Sequence, residues 1–256
     1  MSFSLTPTPN PDTANVEVLF AVAGGDVPYW PRVTLTRAID GEEPVMLRGA
    51  DSVTTSGGLL YIIDSEAPFG VELTYTAISS LGGATTAVTT LDVASTWLKV
   101  PGHAELGTPV IVANHDRVDA YETPMGVFPI VGSRFPVTVA GTTSARTTSV
   151  KLLTTSRAEA AHVLRALRSS PVVLIETPAG HALERGYFTL TGFSRSQVAR
   201  ANGDDGSIWE LPLVEVDIPT GGSASGGVTW ETIAGTYATW TALRAAVGTW
   251  LDLVSA

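Results

Sequence analysis

TTSVKLLTTSRAEAAHVLRALRSSPVVLIE, residues 147–176, is the stretch with the clearest secondary-structure pattern in the chain. Polar and apolar residues alternate at its start, which is typical of a strand with one buried face. Ser156 and Glu159 have the spacing of a capping box at a helix start, and Pro171 marks the helix end. We therefore predict a helix over 156–168, whose apolar face consists of Ala160, Val163, Leu164 and Leu167.

Strands predicted around this helix complete a β-rich unit over residues 94–219. Residues 172–176 are apolar up to a terminal Glu, so they suit a central strand. Phe135–Val139 predicts a strand before the helix, and Tyr187–Ala199 predicts a long strand after it. The pattern favours a β-sandwich or a closed sheet with one helix laid across it.

Residues 14–93 predict a second β-rich unit that precedes the first. Short alternating stretches are separated by turn signals every eight to twelve residues, which is the pattern of a β-sandwich. Residues 1–13 are rich in Thr and Pro and predict an extended arm. The end of the unit resembles a fibronectin type III domain, through Asp64, Pro68, Gly70, Tyr75, Ala77 and Gly82. The resemblance implies that Tyr75 ties its strand to a neighbouring loop.

Residues 220–228 are rich in Gly and Ser and predict a flexible linker. In residues 229–256, a Thr-Trp pair recurs every ten residues. Ten residues of α-helix turn by about 1000°, so one straight helix would not align the three Trp side chains. We predict two or three short helices that dock on their own chain or on a neighbour. The predicted docking residues are Trp230, Ile233, Tyr237, Trp240, Leu243, Trp250 and Leu253.

Composition excludes several classes of function. The chain has 256 residues and a net charge of −10, which disfavours binding of nucleic acid through its phosphates. It contains no cysteine, so disulfides and thiolate metal sites are excluded. The N-terminus lacks the pattern of a secretory signal, and no apolar run approaches the length of a membrane span. These features predict a protein made in a cytoplasm, without a membrane partner.

Candidate catalytic and metal-binding residues are sparse. His115 and Asp116 lie near Asp119 and Glu122, but such acidic loops are usually solvated turns. The segment 202–206, NGDDG, lacks the spaced ligands of a calcium loop and predicts a hairpin turn. None of the common hydrolase, zinc-protease or phosphate-loop motifs is present. We therefore predict a protein that is not an enzyme and holds no metal or cofactor.

Several motifs of the second half resemble minor tail proteins of long-tailed phages that infect actinobacteria. They are Gly126–Gly132 (GVFPIVG), Phe135–Val139 (FPVTV), the strand–helix–strand of Thr147–Glu176, and Thr177–Gly180 (TPAG). A β-sandwich with one helix is also similar to the ring-forming domain of distal tail proteins, which are related to tail-tube subunits. An upstream fibronectin-like module and a downstream Thr-Trp segment are similar to companions found in that family.

The resemblance implies a structural virion protein located in the phage tail and assembled in the host cytoplasm. Its copies would form a ring, with six-fold symmetry, that joins the tail tube to the hub or to receptor-binding components. Strands of residues 134–191 would offer edges to neighbouring subunits. A carbohydrate-binding adhesin that recognises a host cell-surface glycan is the alternative, with the Trp side chains as ligand site. A tail-associated hydrolase is a third hypothesis for the function.

Overall fold

The structure, a computed structural model, describes residues 2–23, 31–113, 117–123, 125–128, 134, 137–198 and 206–219. These residues form a mainly β protein with one α-helix, which confirms the mainly β character of the predicted fold class. Among them, no helix has the length and apolar character required to cross a membrane.

The first module, residues 2–93, contains two antiparallel sheets. One sheet has the order β1-β2-β6, and the other has the order β4-β3-β7-β8, with β5 also paired to β3. The strands are β1 (Ser2–Asn10), β2 (Asn15–Ala23), β3 (Arg32–Ile39), β4 (Val45–Met46), β5 (Val53–Thr54), β6 (Leu59–Asp64), β7 (Glu72–Ser79) and β8 (Ala84–Thr90).

Alternation of side chains places one face of each sheet in a shared core, because successive residues of a strand point to opposite faces. On one face of β2, β3 and β7, most residues are apolar and fully or almost fully buried, and these belong to one apolar cluster. The buried residues of these three strands include Val16, Val18, Phe20, Val33, Leu35, Leu73, Tyr75 and Ala77.

The N-terminal stretch that was expected to be an arm is a strand of the first module. β1 pairs with β2 along its entire length, from Ser2 opposite Ala23 to Asn10 opposite Asn15. Its prolines, Pro7 and Pro9, are tolerated because β1 lies at the edge of its sheet and needs donors on one side only.

The second module, residues 96–219, contains the remaining strands and the helix. They are β9 (Thr96–Val100), β10 (His103–Val112), β11 (Asp119–Ala120), β12 (Met125–Phe128), β13 (Val137–Ala140), β14 (Thr147–Thr154), α1 (Arg157–Ser169), β15 (Val172–Glu176), β16 (Gly186–Leu190), β17 (Ser194–Gln197) and β18 (Ser207–Val216). Within the described residues, β12 and β13 pair only with each other and form a separate hairpin.

The main sheet of this module closes on itself. Its order is β14-β10-β9-β15-β16-β18, and β18 pairs with β14 over the eight residues Thr147–Thr154. The central strands β14, β15 and β16 are therefore paired on both sides within the chain. This differs from the expectation that they offer edges to other subunits, because closure of a sheet removes the edges of its members.

The helix begins and ends within one residue of its predicted bounds. Ser156 accepts a hydrogen bond from the backbone N–H of Glu159 at 3.1 Å, as the capping box predicts. The Glu159 carboxylate accepts from the backbone N–H of Thr155 at 2.7 Å, one residue before the predicted donor. The buried face of the helix joins the core of the closed sheet through Ala160, Val163, Ala166 and Leu167.

The long strand predicted from Tyr187 to Ala199 is interrupted in the structure. Leu190 pairs with Leu213, whereas Ser194 pairs with Glu210, so three residues of one strand oppose two of the other. This β-bulge lies opposite Pro212, which has no N–H to donate to a ladder. The bulge separates β16 from β17 on the same side of β18.

β9 connects the two modules. All five of its residues are buried, which a strand with one solvated face would not show. Leu98 and Val100 belong to the core of the second module, and Trp97 belongs to the core of the first. The strand therefore contributes to both cores from its two faces.

Candidate interaction surfaces and the module junction

The predicted docking residues lie outside the described part of the chain. They are Trp230, Ile233, Tyr237, Trp240, Leu243, Trp250 and Leu253, and His115, Asp116 and the turn residues 202–205 also lie outside it. The candidate sites in the described part of the chain therefore consist of other side chains.

The outer face of β9, β15 and β16 packs against the first module and forms what we call the module junction. Lys99 pairs with Leu174 in register, Glu176 pairs with Trp97, and Tyr187 pairs with Leu174 on the other side. All five side chains are buried, although this face of the sheet points away from the core of the second module.

Glu66 of the first module is the centre of the junction. Its carboxylate accepts a bidentate pair of hydrogen bonds from Arg48, at 2.6 Å from Nε and 3.1 Å from Nη2. The Tyr187 hydroxyl donates to the same carboxylate at 2.7 Å, and Arg185 donates to the Glu66 backbone carbonyl at 3.0 Å. Burial, followed by the negative charge of Glu66, raises the pKa of Tyr187, which keeps this hydroxyl a donor.

Lys99 is a buried cation at the junction. Its Nζ donates to the backbone carbonyl of Ala14 at 2.5 Å and lies 4.8 Å from the centre of the Phe69 ring. Burial lowers the pKa of Lys99 to about 8, against the opposing effect of the Glu176 carboxylate. The ammonium group thus links the second module to two elements of the first at the cost of desolvation.

Glu176 is fully buried at the end of β15. One carboxylate oxygen, Oε2, accepts from Arg185 Nε at 2.9 Å, and the other, Oε1, has no hydrogen-bond partner. Burial raises the pKa of Glu176, while the positive charges of Arg185 and Lys99 act in the opposite direction. The junction therefore contains one carboxylate that is only half satisfied.

A second buried network lies inside the first module. Arg37 donates to both Asp64 oxygens, at 2.8 and 2.6 Å, and the Tyr75 hydroxyl donates to Asp64 at 2.8 Å. The backbone N–H of Glu66 also donates to Asp64, at 3.1 Å. Burial, followed by the Asp64 charge, raises the pKa of Tyr75. Asp64 and Glu66 place the two networks two residues apart.

The junction also holds the last described residue. Arg48 Nη1 donates to the backbone carbonyl of Pro219 at 3.0 Å. Pro219 therefore lies beside the first module, although it follows the last strand of the second.

Of the acidic residues near His115, the structure describes Asp119 and Glu122. Asp119 pairs with Arg117 at 3.1 Å, and this hydrogen bond holds the pKa of Asp119 below its usual value. Glu122 is exposed. In the described part of the chain, no group of three or more His, Cys, Asp or Glu side chains is arranged to hold a metal ion.

Three open grooves lie side by side on the second module. The largest, about 360 Å³, runs over β14 and β18 and includes Ser149 and Pro212. The next, about 260 Å³, is lined by the end of α1, Pro171 and residues 190–193. The third, also about 260 Å³, shares Phe193 with the second and Pro212 with the first. Together they form a shallow surface channel at the bulge.

The outer face of the β1-β2-β6 sheet carries an exposed apolar patch. Leu19 of β2 pairs with Tyr61 of β6, and Tyr61 is 53% exposed. Leu59 and Ile63 of β6 are exposed beside it. Cross-strand neighbours of this kind form a continuous surface, and such apolar patches commonly mark interaction sites.

Comparisons with known proteins leave the family open. No family model matches the chain, and no curated protein matches it.

The buried charges of the junction were not predicted from the sequence, although two of them leave a signal there. Lys99 interrupts the apolar stretch of β9, and Glu176 ends the apolar run of β15. A charge within an otherwise apolar strand signals a paired buried group rather than a solvated one. Glu66 has no such signal, because it follows the strand in a polar turn.

Proposed function

We propose that this chain is a structural protein of a phage tail tip, whose copies form a hexameric ring between the tail tube and the hub or receptor-binding components. The proposal starts from the resemblance of residues 126–180 to minor and distal tail proteins. β9 is the structural observation that carries it, because this strand and the junction combine two β modules into one body. A body of this kind suits a load-bearing connector.

The first module supports the proposal as a fibronectin type III-like sandwich. Its two antiparallel sheets, with the orders β1-β2-β6 and β4-β3-β7-β8, share one core, as a sandwich of that type requires. Tyr75 is buried on β7, and its hydroxyl binds Asp64 at the start of the turn that leads to Gly70. The resemblance implied such a role for Tyr75. We assign this module to the outside of the ring.

The second module supports the proposal through its closed sheet with one packed helix. In the described residues, strand edges without a partner include those of β11 and β17, and the hairpin β12–β13 stands apart from the main sheet. An isolated hairpin is marginally stable in water, so contact with a neighbouring subunit would stabilise it. We place the ring contacts at this hairpin and at these short edges.

The first experiment measures the oligomeric state of the purified full-length chain. Light scattering coupled to gel filtration gives the mass, and negative-stain electron microscopy gives the shape. We expect a closed ring of about six copies, in line with closed point-group symmetry. A monomer at all concentrations, alone and with tail-tube protein, would contradict the proposal.

A second candidate is a carbohydrate-binding adhesin module of the tail. The half-exposed ring of Tyr61, on a flat face beside Leu19, is the kind of surface on which sugar rings stack. Deletion of residues 229–256 separates the two candidates. Loss of assembly supports the docking role of the Thr-Trp segment, whereas intact assembly, together with glycan binding that Tyr61→Ala abolishes, supports the adhesin.

A further inference from the structure

Helix α1 presents a basic stripe to solvent. Arg157, Ala161, Arg165 and Arg168 are all exposed, and at 100° per residue they fall within an arc of about 80°. The buried residues Ala160, Val163 and Ala166 lie on the opposite side of the helix. We call this exposed face the arginine stripe.

Two of the three charges of the stripe lack a matching carboxylate among the described residues. Arg165 and Arg168 form no salt bridge there, and the nearest carboxylate on the helix, that of Glu159, is engaged at the N-terminal cap. The protein as a whole has a net charge of −10. Much of its other positive charge is buried in ion pairs, as at Arg37 and Arg48. An exposed cationic face is therefore unusual for this chain.

An apolar groove continues the stripe at the C-terminal end of the helix. Arg168 lines the groove of about 260 Å³ together with Pro171, Leu190 and Phe193. Phe193 is 38% exposed. A partner that fits this face must combine carboxylates with an apolar side chain.

The first module carries a segment with this combination. Asp40, Glu42 and Glu43 are exposed in the turn between β3 and β4, and Met46, 50% exposed, follows in β4. The turn is held by the Glu42 N–H, which donates to the Ile39 carbonyl at 3.0 Å. Its three carboxylates have no salt bridge to described residues, because the adjacent cations, Arg37 and Arg48, bind Asp64 and Glu66 instead.

We propose that the arginine stripe of one copy binds the Asp40–Glu43 turn of a second copy, with Met46 seated in the groove beside Phe193. The contact joins two different surfaces, so each copy of a pair keeps one of its two surfaces free, and repetition gives a closed ring or a filament. The inference rests on the proposed assembly of copies, and it names a contact for it. A nucleic acid is a poorer fit to the stripe, because an acidic chain repels a polyanion.

The test uses charge reversal in the full-length chain. One variant is Arg165→Glu/Arg168→Glu, and the other is Asp40→Lys/Glu42→Lys/Glu43→Lys. Asp12→Lys/Asp51→Lys/Glu105→Lys is the matched control for the second variant, because it changes the net charge by the same amount at exposed sites outside both surfaces. Self-association is followed by analytical ultracentrifugation at low and high salt.

Each reversal variant alone is expected to weaken self-association at least about 10-fold, and the control is expected to retain it. An equimolar mixture of the two variants is expected to restore association, because a reversed stripe then meets a reversed turn. Salt weakens the wild-type contact.

Three outcomes would overturn this contact. Association that persists in both variants refutes it but leaves the proposed ring intact, whereas a wild-type chain that stays monomeric refutes both. Specific binding of labelled double-stranded DNA, lost in Arg165→Glu/Arg168→Glu without a change in association, assigns the stripe to a nucleic acid instead. A salt-sensitive dimer that needs both surfaces supports the contact and contradicts the ring.

Discussion

The buried charge network around Asp64 inside the first module differs from the buried charge network at the module junction. In the first module, Asp64 accepts hydrogen bonds from Arg37, from Tyr75 and from the backbone, so both of its oxygens are satisfied. At the junction, Glu176 is as deeply buried, but one of its oxygens has no partner. The interior network thus satisfies its carboxylate within one module, whereas the junction network holds buried charges between two modules.

The pKa shifts show the same contrast. Arg37 stays protonated next to Asp64, with a pKa raised by that pair despite the opposing effect of burial. At the junction, burial moves the pKa of Lys99 down and that of Glu176 up, each toward neutrality. Imperfect pairing of this kind is worth less than a complete network and is more sensitive to pH.

Loss of Asp64 is expected to have the largest effect. Asp64→Ala leaves Arg37 buried without a counter-ion, and it should lower the free energy of unfolding by about 3–5 kcal/mol. Urea unfolding followed by circular dichroism measures the change. Tyr75→Phe removes one hydrogen bond from the same carboxylate and should cost about 1 kcal/mol. Equal effects of the two variants would contradict the central role of Asp64.

Glu66→Gln tests the junction side of the comparison. The change removes the charge that holds Arg48 and Tyr187, and we expect a loss of about 2–3 kcal/mol. Because the modules meet at this residue, calorimetry should show two separate unfolding transitions in place of one. Glu184→Gln is the control, since Glu184 is 82% exposed next to Arg146 and should contribute little. A single, unshifted transition for Glu66→Gln would show that β9 alone couples the modules.

The pH dependence of the free energy of unfolding tests the junction network through Lys99. Lys99 has a folded-state pKa of about 8, below its ordinary value of 10.5. Between these values the unfolded chain holds a proton that the folded chain has released, so the contribution of Lys99 to stability rises with pH. Below pH 8 its full desolvation cost is present.

Above pH 8, Lys99 should raise the free energy of unfolding of the wild type by at most about 1.4 kcal/mol per pH unit. Lys99→Met should remove this rise. Urea unfolding at intervals from pH 7.5 to about 9.5 measures the slope, below the range where tyrosines titrate. Lys151→Met, at the exposed lysine of β14, should leave the slope unchanged. Identical slopes for the wild type and Lys99→Met would contradict a buried, shifted lysine.

A pair of glycines gives the smallest expected difference. Gly70 and Gly82 both have positive φ angles, of 68° and 82°, so an alanine at either position costs about 1 kcal/mol. A Cβ at Gly70 would also lie 3.2 Å from Cβ of Ala179 across the junction, whereas one at Gly82 meets nothing within 4 Å. Gly70→Ala should thus be less stable than Gly82→Ala by up to about 1 kcal/mol, as measured by thermal unfolding. A reversed order would indicate that Ala179 moves away freely.

Much of the local structure followed from sequence because local rules govern it. The capping box at Ser156 and the apolar run of residues 172–176 gave the helix and the central strand within one residue. The pairing of residues 2–10 was missed because proline-rich extended chain and edge strand have the same composition. The bulge before Ser194 was missed because it depends on Pro212, a residue far along the chain.

The candidate sites were harder to predict, since they depend on long-range contacts. Glu66 acquires its role from Tyr187, which lies 121 positions away. The pairing of β14 with β18, which closes the sheet, likewise joins residues about 60 positions apart, so no local sequence pattern predicts it. The predicted docking residues of the Thr-Trp segment lie outside the described residues, so that hypothesis stays a prediction.

The two-faced burial of β9 has a consequence for how such a chain can be rearranged by recombination. A gene fusion at the nominal boundary near Ser95 would separate Trp97 from the core that it fills and would expose Lys99, Glu176 and Tyr187. An exchange of the first module is tolerated only if the new module supplies a carbonyl for Lys99 and a carboxylate for Tyr187. Recombination should therefore preserve the two modules together with their shared strand β9, because neither module can be exchanged alone.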